Sequence, residues 1–536
     1  MHSLRLSELN SSAGDTVLEP PLLAGTTRWR VWIASDLVLV SLIAAGACAL
    51  HFFAASRYGY FRDELYYAAC GQHLAWGYVD HAPLIAVIAW FVRRLFGDLL
   101  FSLRLFPALS AGGKVFLTAW IVREFNGRRF AQSLAATAIL ICPIYLTMDS
   151  FLSMNSFEPL FWTSCAAIAV RITNRGPQQL WLLFGAVAGL GLLNKHSMLF
   201  FGLAIVLGLF LSSGTRYFRN RWIWLGGLTA FAIFLPNLLW EIRNHFPTIE
   251  ILRNVARMKN AHVPWYSFIA QQALLVHPLG APICLSGLWF FFVSEKGEPY
   301  RFLGWTYFFL LLQMLILDGR IYYLAPVYPI LFAAGSVWIE NQIAKRSWKW
   351  AKQAILMPLV VGGLVAAPLA MPLLPVNAAA SYARFWDVDK IHVQNYDPGP
   401  LPQFFADMFG WPNQAAVVGS VYRALTPSDR YRCAILAGNY GEAGAIDYFG
   451  AAYGLPRAIS GHNNYYLWGP RGYSGEVVIA FGIQLQDLRQ LFGSVQQVGT
   501  INDFYAGQGE NNVPVYLCRQ PRASLTQMWY RLKFFG

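Results

Sequence analysis

The stretch YFRDELYY, residues 60–67, follows directly on the first long apolar segment of the chain, residues 31–55. It places two carboxylates, Asp63 and Glu64, just beyond a segment long enough to cross a bilayer. A charged side chain close to hydrocarbon is costly to keep there, so a pair of carboxylates at this depth requires a partner or a function. The stretch therefore indicates the class of fold and also the first place to look for chemistry.

The composition indicates a polytopic membrane protein. Hydrophobic residues make up 56% of the 536 residues, and charged residues only 13%, which is far more apolar than an ordinary soluble protein. A hydrocarbon core of roughly 30 Å takes about 20 helical residues to cross. About eleven segments approach or reach that length, at residues 31–55, 101–122, 130–147, 156–172, 179–193, 197–213, 222–240, 267–293, 302–317, 323–341 and 354–374.

The net charge of +13 fits a membrane topology better than a nucleic-acid surface, and no nucleic-acid partner is expected. If the N-terminus is cytoplasmic, every inner loop is rich in Arg and Lys, whereas the short outer loops near 194–196 and 318–322 carry one basic residue each. The positive-inside rule then predicts that residues 1–30 form a cytoplasmic tail. We expect a bacterial-type inner (plasma) membrane protein that contacts membrane lipid, with a C-terminal domain that is periplasmic or extracellular.

Residues 83–97 are not counted as a transmembrane span, although they are apolar, because a span there would reverse the orientation of every later helix. A helix lying at the membrane interface fits this segment better, since Arg93 and Arg94 stand at its end. Residues 65–76 then form a second interface helix. The first outer loop, residues 56–101, is thus long and partly helical, and it holds the acidic pair.

After residue 375 the composition changes to short strand-like runs separated by Asp, Asn and Gly. We expect residues 31–375 to form a transmembrane catalytic domain and residues 376–536 one extracytoplasmic α/β domain. If that domain is extracytoplasmic, Cys433 and Cys518 have the redox conditions to pair. Strands are predicted at 432–438, 476–482, 494–501 and 513–519, and helices at 441–453 and 485–492.

Carboxylates at an outer membrane surface suit the transfer of a group from a lipid-linked donor to an acceptor that arrives from water. Such a reaction needs an acid–base group for the acceptor proton, a cationic site for the departing phosphate, and a loop that closes over the donor. The sequence offers a candidate for each of the three. The alternative is a polytopic transporter or flippase of a lipid-linked or envelope glycan, which should instead place polar residues in mid-membrane on broken, repeated helices.

Three motifs carry a resemblance to a known family: RDE at 62–64, WGYVDHAPL at 76–84 and LNKH at 193–196. Over most of residues 30–375 the chain resembles bacterial membrane glycosyltransferases related to protein O-mannosyltransferases and the lipid A aminoarabinose transferase. The resemblance implies a polytopic α-helical membrane fold of GT-C type. It also implies an inverting transfer of a hexosyl or pentosyl group from a polyprenyl-phosphate sugar donor to a glycan, lipid or protein acceptor.

The resemblance makes Asp63 the expected general base, with Glu64 beside it to orient or tune it. The residues themselves leave another interpretation open. Arg62 could pair with one of the carboxylates, and the group could simply cap a helix that begins near Leu65, where negative charge favours the helix N-terminus.

Lys195 and Arg320 are expected to bind the donor phosphate, with Tyr323 as a hydroxyl partner. A polyprenyl phosphate departs with growing negative charge, and a fixed cation that stabilises this charge lowers the barrier. Relatives in the resembled family carry a lysine at the position matching Lys195. The alternative for Lys195 is a lysine that snorkels from the end of a span.

Asp80 and His81 stand just before Pro83, where relatives often carry a polar or acidic residue that binds substrate or metal. A carboxylate next to an imidazole supplies half of a divalent metal site. The same spacing also fits a helix N-cap followed by proline in the first turn. A divalent metal at this pair is the one cofactor that the sequence leaves open.

Three more residues are expected to bind substrate. Relatives commonly carry another functional Asp in the second outer loop, where this chain departs from the pattern and offers Asn155 and Glu158. Glu158 could contact the acceptor, pair with a basic residue or occupy a plain interface position. Arg257 belongs to the basic loop 241–266, which is either a mobile lid over the donor or a solvated cationic face near lipid headgroups.

The predicted tail domain has two stretches that combine amide and aromatic side chains, GNYGE at 438–442 and HNNYYLW at 462–468. Such a combination suits sugar rings, which present hydroxyl groups and an apolar face together. An acceptor-binding or membrane-facing accessory module and a purely structural cap both remain open for this domain.

Overall fold

The computed structural model describes residues 36–258, 263–388 and 399–536. The predicted cytoplasmic tail, residues 1–30, lies outside the described residues. Helices make up most of the first 375 residues, with 3₁₀ segments at Ser213–Arg219, Glu295–Tyr300 and Ile321–Val327. The α-helices there are Asp36–Ala54, Arg62–Gln72, Leu84–Phe96, Leu100–Leu103, Leu105–Glu124, Arg129–Leu140, Pro143–Met148, Met154–Thr173, Leu180–Asn194, Met198–Phe210, Arg221–Arg243, Pro247–Met258, Trp265–Leu275, Ala281–Phe292, Arg301–Ile316, Tyr328–Lys345 and Ala351–Ala370.

Within the described residues, five helical segments are long and apolar enough to cross a membrane: Asp36–Ala54, Leu100–Glu124, Arg221–Arg243, Ile321–Lys345 and Ala351–Ala370. Three further helices, Leu180–Asn194, Met198–Phe210 and Ala281–Phe292, are apolar but shorter. The polytopic helical architecture is therefore confirmed, while the total of about eleven spans stays a prediction.

Two predicted spans are interrupted in the structure. The segment 130–147 is divided into Arg129–Leu140 and Pro143–Met148, because Pro143 has no backbone N–H and starts a new helix. The segment 267–293 is divided into Trp265–Leu275 and Ala281–Phe292. The second break coincides with the HPLGAP run at 277–282, in which proline and glycine interrupt the helix.

Glycine allows two of the helices to pack closely. A Cβ placed on Gly185 would lie 1.9 Å from the carbonyl oxygen of Gly226, and one on Gly226 would lie 2.2 Å from the carbonyl oxygen of Trp181. Helices Leu180–Asn194 and Arg221–Arg243 therefore approach backbone to backbone, as small residues permit in membrane helix pairs. This contact lies in the first turns of Leu180–Asn194, at the end of the helix opposite to Lys195.

The first loop after Asp36–Ala54 contains two helices, as predicted, at Arg62–Gln72 and Leu84–Phe96. The first of them begins at Arg62 rather than at Leu65, so Asp63 and Glu64 lie inside its first turn. The Glu64 carboxylate accepts a hydrogen bond from the backbone N–H of Phe61 at 2.8 Å. That bond satisfies one of the free N–H groups at the helix start, which explains the earlier beginning.

The C-terminal part contains one five-stranded sheet with the strand order β2-β1-β3-β5-β4. Strands β2, β1 and β3 are parallel, and β5 and β4 are antiparallel to their neighbours. The central strands β1 and β3 are completely buried, as their continuous apolar sequences favour. The strands are β1 (Cys433–Ala437), β2 (Ala458–Ser460), β3 (Val477–Phe481), β4 (Phe492–Ile501) and β5 (Val513–Pro521).

Helices surround this sheet, and four of its five strands agree with the predicted strands. The stretch HNNYYLW at 462–468 also predicts a short strand before it, without bounds, and β2 lies there; three residues give too little periodicity to define its ends. The predicted boundary between the domains at residue 375 stays a prediction. The described helices of this part are Val376–Phe385, Gln403–Ala406, Trp411–Ala424, Pro427–Arg432, Tyr440–Phe449, Asn463–Trp468, Leu485–Leu491 and Leu525–Met528, with 3₁₀ segments at Gly450–Tyr453, Gln508–Glu510 and Trp529–Leu532.

Cys433 and Cys518 do not form a disulfide, and all seven cysteines are free thiols. Cys433 lies on β1 and Cys518 on β5, with β3 between them. Strands that are two positions apart are separated by roughly 9–10 Å, which is beyond the Cα distance that a disulfide spans. The two residues share a domain but not a contact.

The sheet domain packs directly on the loop that carries the acidic pair. Helix Tyr440–Phe449 lies against helix Arg62–Gln72, and a Cβ on Gly444 would meet the backbone of Leu65 at 3.1 Å. One cluster of buried residues contains Tyr66 and Tyr67 together with Ile435 of β1 and Ile479 of β3. The C-terminal domain therefore reaches the residues beside Asp63.

Candidate functional site

Asp63 lies in the first turn of helix Arg62–Gln72, and its side chain keeps 27% of its surface exposed. The Tyr440 hydroxyl donates a hydrogen bond to Asp63 Oδ1 at 2.8 Å. The guanidinium of Arg62 lies 3.8 Å from the same oxygen. A carboxylate that is partly exposed, and that is held by a hydroxyl and a nearby cation, is able to accept a proton from an incoming group.

Glu64 has a different environment from its neighbour. Its side chain is completely buried, and Arg104 binds both of its oxygens, through Nε at 3.0 Å and Nη2 at 2.9 Å. The backbone N–H groups of Phe61 and Leu152 each donate to Glu64 at 2.8 Å. These four hydrogen bonds occupy the acceptor positions of the carboxylate, so Glu64 connects the acidic helix to the loop before Met154. The structure therefore brings Glu64 to a structural junction rather than to an open catalytic surface.

Asp80 lies in the turn before helix Leu84–Phe96 and is half-buried. Tyr66, one turn after Asp63, donates its hydroxyl to Asp80 Oδ1 at 2.8 Å. Burial raises the pKa of Asp80 above its ordinary value, and the negative charge of Asp63 acts in the same direction. Asp80 is thus held by the same helix that carries Asp63, which places the two aspartates in one site.

His81 is buried among tyrosines, with the ring of Tyr78 stacked on it at 4.5 Å. Its Nδ1 lies 2.9 Å from the carbonyl oxygen of Ala82, and burial lowers the pKa of the imidazole. A neutral ring that donates from Nδ1 carries its lone pair on Nε2. Within the described residues, Nε2 is buried and has no hydrogen-bond partner.

The described residues contain no group of three His, Cys, Asp or Glu side chains placed to hold a metal ion. Asp80 and His81 also differ from the predicted helix cap, since Pro83 is the residue that precedes the helix and no side chain caps it. The pair instead packs beneath the helix that carries Asp63.

Three residues predicted separately meet at a second cluster. Lys195 Nζ donates to Asn155 Oδ1 and to Glu158 Oε2, each at 2.8 Å. The other Glu158 oxygen accepts a hydrogen bond from the Ser197 hydroxyl. Lys195 follows the end of Leu180–Asn194, and the other two residues belong to the first turns of Met154–Thr173. Glu158 therefore pairs with a basic residue, which was one of the alternatives open at the sequence level.

Tyrosines complete the surroundings of Lys195. Its ammonium lies 4.8 Å from the ring centroid of Tyr323 and 6.0 Å from that of Tyr322. Arg320 precedes both tyrosines, and its Nη1 donates to the Tyr322 hydroxyl at 3.2 Å. The predicted phosphate-binding residues Lys195, Arg320 and Tyr323 thus belong to one contiguous group of side chains.

Asn237 connects the cationic cluster to the loop of the acidic cluster: its Oδ1 lies 2.8 Å from His196 Nε2, and its Nδ2 donates to the carbonyl oxygen of Trp76 at 2.7 Å. Arg320 is within electrostatic range of Tyr440, the tyrosine that holds Asp63. His196, next to Lys195, is within electrostatic range of His81. The arrangement therefore provides a partly exposed carboxylate, two cations and several hydroxyl groups around one region of the molecule.

The remaining predicted residue, Arg257, belongs to helix Pro247–Met258. Its side chain lies outside the described part of the structure, and the basic loop after it resumes at residue 263. Its assignment to substrate binding stays a prediction.

Three important residues escaped the sequence analysis. Arg104 binds Glu64, and Lys114 forms a buried ion pair with Asp149 at 2.5 Å. Both cations lie within the apolar segment 101–122, where a lone charge is costly and signals a partner elsewhere. The sequence places Tyr440 in a stretch that suits sugar rings, but nothing local connects it to Asp63, which lies 377 residues earlier.

Comparison with known proteins agrees with this fold. Residues 80–240 match the family model described as dolichyl-phosphate-mannose-protein mannosyltransferase, a range that includes Asp80, His81, Asn155, Glu158 and Lys195. A search of curated protein sequences found no match.

Two solved structures of one protein are similar over nearly the whole length of both chains. ArnT from Cupriavidus metallidurans bound to undecaprenyl phosphate superposes with a TM-score of 0.61 at 16% identity, covering 92% of this chain and 98% of ArnT. Its apo state gives a TM-score of 0.60 at 15% identity, with the same coverage. An oligosaccharyltransferase from Archaeoglobus fulgidus, tethered to an acceptor peptide containing the NVT sequon, gives 0.50 at 12% identity, covering 80% of this chain and 64% of that one.

The chain therefore has the fold of the GT-C membrane glycosyltransferases, and the resemblance predicted from its motifs is confirmed. Within that class, the part of the chain that matches the mannosyltransferase family model is residues 80–240. The similarity to ArnT extends through the C-terminal sheet domain as well, since it covers 92% of the chain.

Proposed function

We propose that this protein is a membrane glycosyltransferase that moves a sugar from a polyprenyl-phosphate donor to a glycan, lipid or protein acceptor. The observation that carries the proposal is that one GT-C fold holds both the partly exposed carboxylate of Asp63 and the cationic group formed by Lys195 and Arg320. Support also comes from ArnT, the similar protein whose structure contains undecaprenyl phosphate.

In the proposed reaction Asp63 takes the proton from the acceptor hydroxyl or amine as that atom attacks the anomeric carbon of the sugar. The bond between this carbon and the phosphate oxygen breaks, and the electron pair leaves with the polyprenyl phosphate. Lys195 and Arg320 stabilise the negative charge that develops on the phosphate. Attack from the side opposite to the leaving group inverts the configuration.

The other residues of the site support these two roles. Glu158 and Asn155 hold Lys195 through two hydrogen bonds of 2.8 Å, so the ammonium is fixed before the donor arrives. Tyr323 covers the ammonium with its ring. Glu64 fixes the backbone that carries Asp63 and acts as a positioning residue, and Asp80 and His81 border the region where the acceptor would enter.

We also propose that the site faces the outer side of a bacterial-type inner membrane. The basic residues of the predicted inner loops favour a cytoplasmic N-terminus. The C-terminal domain contacts the acidic helix, so it would lie on the same outer side as Asp63. The donor would then be held by its lipid tail among the spans, while the acceptor arrives from water.

The test is the Asp63→Asn variant, with Asp98→Asn as its matched control. Asp98 lies in the same loop, is 59% exposed and pairs with Arg93 away from the site. Full-length protein in vesicles would be given a panel of radiolabelled undecaprenyl-phosphate sugars carrying mannose, glucose or arabinose, with bacterial membranes as the source of acceptor. We expect a loss of sugar transfer of at least about a hundredfold in Asp63→Asn, with unchanged binding of undecaprenyl phosphate and full activity in Asp98→Asn.

Two results would count against the enzyme. Wild-type turnover in Asp63→Asn would remove the proposed base. Movement of intact labelled lipid across the vesicle membrane, without cleavage of the sugar–phosphate bond from any donor in the panel, would instead support a flippase.

A further inference from the structure

Two aspartates of the candidate site are held in the same way by two tyrosines. The Tyr440 hydroxyl lies 2.8 Å from Asp63 Oδ1, and the Tyr66 hydroxyl lies 2.8 Å from Asp80 Oδ1. The rings of the two tyrosines lie against each other, with 4.6 Å between their centroids and 33° between their planes. The two carboxylates are thus joined through a tyrosine pair.

Only one of these tyrosines belongs to the helical domain. Tyr440 is the first residue of helix Tyr440–Phe449 and comes three residues after the end of β1. Its helix start is fixed by Asn439, whose side chain accepts hydrogen bonds from the backbone of Gly441 at 2.8 Å and of Glu442 at 3.0 Å. The position of the Tyr440 hydroxyl is therefore set by the architecture of the C-terminal domain.

Tyr440 lies just beyond the carboxyl end of β1, which is a special position in the sheet. Strands β2 and β3 lie on opposite sides of β1 in the sheet. The carboxyl end of β1 is therefore the point at which the strand order reverses. In open α/β sheets ligands bind in the crevice at this point. Here the residue that follows β1 at this crevice, Tyr440, points to Asp63 of the helical domain.

A second contact from the same edge of the sheet reaches the turn that carries Asp80. Asn464 follows β2, and its Oδ1 accepts a hydrogen bond from the backbone N–H of Val79 at 2.7 Å. The backbone N–H of Asn464 donates to the Tyr66 hydroxyl at 3.3 Å. One residue of the C-terminal domain therefore fixes both the turn that carries Asp80 and the tyrosine that holds its carboxylate.

The Tyr440 ring has little freedom to leave its position. It contacts the ring of Tyr66 and the ring of His462, at 4.6 Å and 4.9 Å between centroids, and the Arg62 guanidinium lies 5.7 Å from its centre. A buried side chain with packing on several faces is held in one rotamer. The hydroxyl is thus a fixed donor.

We propose that Tyr440 and Asn464 are positioning residues of the active site, so that the C-terminal domain completes the catalytic centre. The inference rests on the proposed role of Asp63 as base. Tyr440 fixes Oδ1 of Asp63 and thereby directs Oδ2 toward the acceptor, while Asn464 fixes the Asp80 turn at the other side. The C-terminal domain is then an obligatory part of the site.

The experiment compares Tyr440→Phe with Tyr448→Phe in the full-length protein. Tyr448 lies on the same helix and also crosses to the helical domain, where its hydroxyl donates to the carbonyl oxygen of Asp98 at 2.7 Å. It contacts neither Asp63 nor Asp80 among the described contacts. Both variants remove one hydroxyl from the same interface, so a difference between them reports on Asp63 rather than on docking of the domain.

The first measurement needs no substrate. The infrared carboxylate band of Asp63 is identified as the band that disappears in Asp63→Asn, and its frequency depends on the hydrogen bond that the carboxylate accepts. We expect the band to shift in Tyr440→Phe and to stay in place in Tyr448→Phe. An unshifted band in Tyr440→Phe would overturn the proposed contact.

The second measurement uses the donor panel and undecaprenyl phosphate. We expect kcat to fall about tenfold or more in Tyr440→Phe, while the affinity for undecaprenyl phosphate stays within twofold of the wild type. Asn464→Leu should lower kcat in the same way. Unchanged kcat would overturn the inference, and increased kcat would show that Tyr440 occupies the place of the acceptor.

The two proposals fail in different ways. If Asp63→Asn keeps wild-type turnover, the proposed function fails whatever the tyrosine variants do. If Asp63→Asn is inactive but Tyr440→Phe and Asn464→Leu behave like Tyr448→Phe, only the role of the C-terminal domain fails.

Discussion

Arg104 binds the carboxylate of Glu64 with two hydrogen bonds, from Nε to Oε1 at 3.0 Å and from Nη2 to Oε2 at 2.9 Å, and neither side chain is more than 1% exposed. Arg104 also donates to the backbone carbonyl of Gly59 at 2.8 Å and of Ala55 at 3.1 Å. This single pair therefore joins the end of the first helix, the acidic helix and the start of Leu100–Glu124. Glu64, the neighbour of the proposed base Asp63, thus holds the first loop in place through Arg104.

Glu64→Gln should destabilise the protein strongly. The substitution leaves the Arg104 guanidinium buried without its counter-ion, which typically costs about 3–5 kcal/mol. Thermal unfolding of the purified protein in detergent would measure the loss. Glu476→Gln is the control, because it removes a carboxylate that pairs with Arg432 at the surface, where the side chains are 50% and 46% exposed, and such pairs contribute at most about 1 kcal/mol. Equal unfolding temperatures for both variants would contradict the structural role of Glu64.

The pairing of Lys195 with Glu158 makes a prediction about phosphate binding. Glu158 partly neutralises the ammonium at 2.8 Å, so Glu158→Gln should strengthen the binding of undecaprenyl phosphate and Lys195→Met should weaken it. We expect the dissociation constant for undecaprenyl phosphate to fall about tenfold in Glu158→Gln and to rise about tenfold in Lys195→Met. Each change corresponds to about 1.4 kcal/mol of binding free energy. Quenching of tryptophan fluorescence by added undecaprenyl phosphate would give both affinities.

Lys296→Met is the matched control for the phosphate experiment. Lys296 also donates to an amide oxygen, that of Asn341 at 2.9 Å, but it belongs to the loop before Arg301–Ile316. Removal of the Lys296 ammonium should leave the affinity for undecaprenyl phosphate unchanged. A loss in Lys296→Met as large as that in Lys195→Met would indicate general electrostatic attraction instead of a defined site.

Gly482 is expected to tolerate no side chain. A Cβ there would lie 2.1 Å from each carboxylate oxygen of Glu442, and the residue has φ +68°. Gly482→Ala should therefore destabilise the C-terminal domain by a clash in addition to backbone strain, together about 2–4 kcal/mol.

Gly454→Ala separates these two contributions. Gly454 has φ +71°, and no atom lies within 4 Å of the position that an alanine Cβ would take, so its substitution adds backbone strain alone. Proteolysis of the C-terminal domain and its thermal unfolding would be compared for the two variants. A cost for Gly482→Ala no larger than that for Gly454→Ala would show that Glu442 moves aside.

A buried pair of acids should make the stability of the C-terminal domain depend on pH. Burial raises the pKa of Glu510 from 4.5 to about 7, and it also raises the pKa of Glu442 well above its ordinary value. The folded domain then binds these protons more tightly than the unfolded chain does. The contribution of Glu510 to the free energy of unfolding is therefore greatest at low pH. It is lost as the pH rises from about 4.5 to about 7.

Glu510→Gln should flatten this dependence. The glutamine keeps the side-chain oxygen that accepts from Gln414 at 2.7 Å or from Asn439 at 3.0 Å in the wild type, but it carries no proton equilibrium. Unfolding temperatures at pH 5 and pH 8 would be compared with those of the wild type and of Glu476→Gln. If the unfolding temperature of Glu510→Gln falls between pH 5 and pH 8 by as much as that of the wild type, the pH dependence belongs to other groups.

Much of the candidate site was visible in the sequence. The motif at 62–64, the lysine of LNKH and the second-loop residues Asn155 and Glu158 were all selected, and the last three meet in one cluster. Each selection depended on a local signal, namely a polar or charged residue at the end of an apolar segment. Such a signal locates a residue along the chain and near a membrane surface, but it does not identify the partner.

The roles of individual residues were harder to predict. Asp63 and Glu64 are adjacent and chemically alike, yet one is partly exposed and the other has four hydrogen bonds in a buried junction. The difference follows from the helix geometry, because successive residues point about 100° apart. Arg104, which decides the role of Glu64, lies 40 residues away in a segment that was interpreted only as a span.

Apolar length and strand periodicity are properties of consecutive residues, so the membrane class, the loop that holds the acidic pair and the α/β character of the tail are predictable from the amino-acid sequence. Packing between distant segments sets which carboxylate stays open, holds Lys195 against Glu158, and brings Tyr440 from the C-terminal part to Asp63. Those contacts join residues from 37 to 377 positions apart. They arise only when helices and sheet pack together, since burial requires each polar group to find a partner wherever the chain brings one.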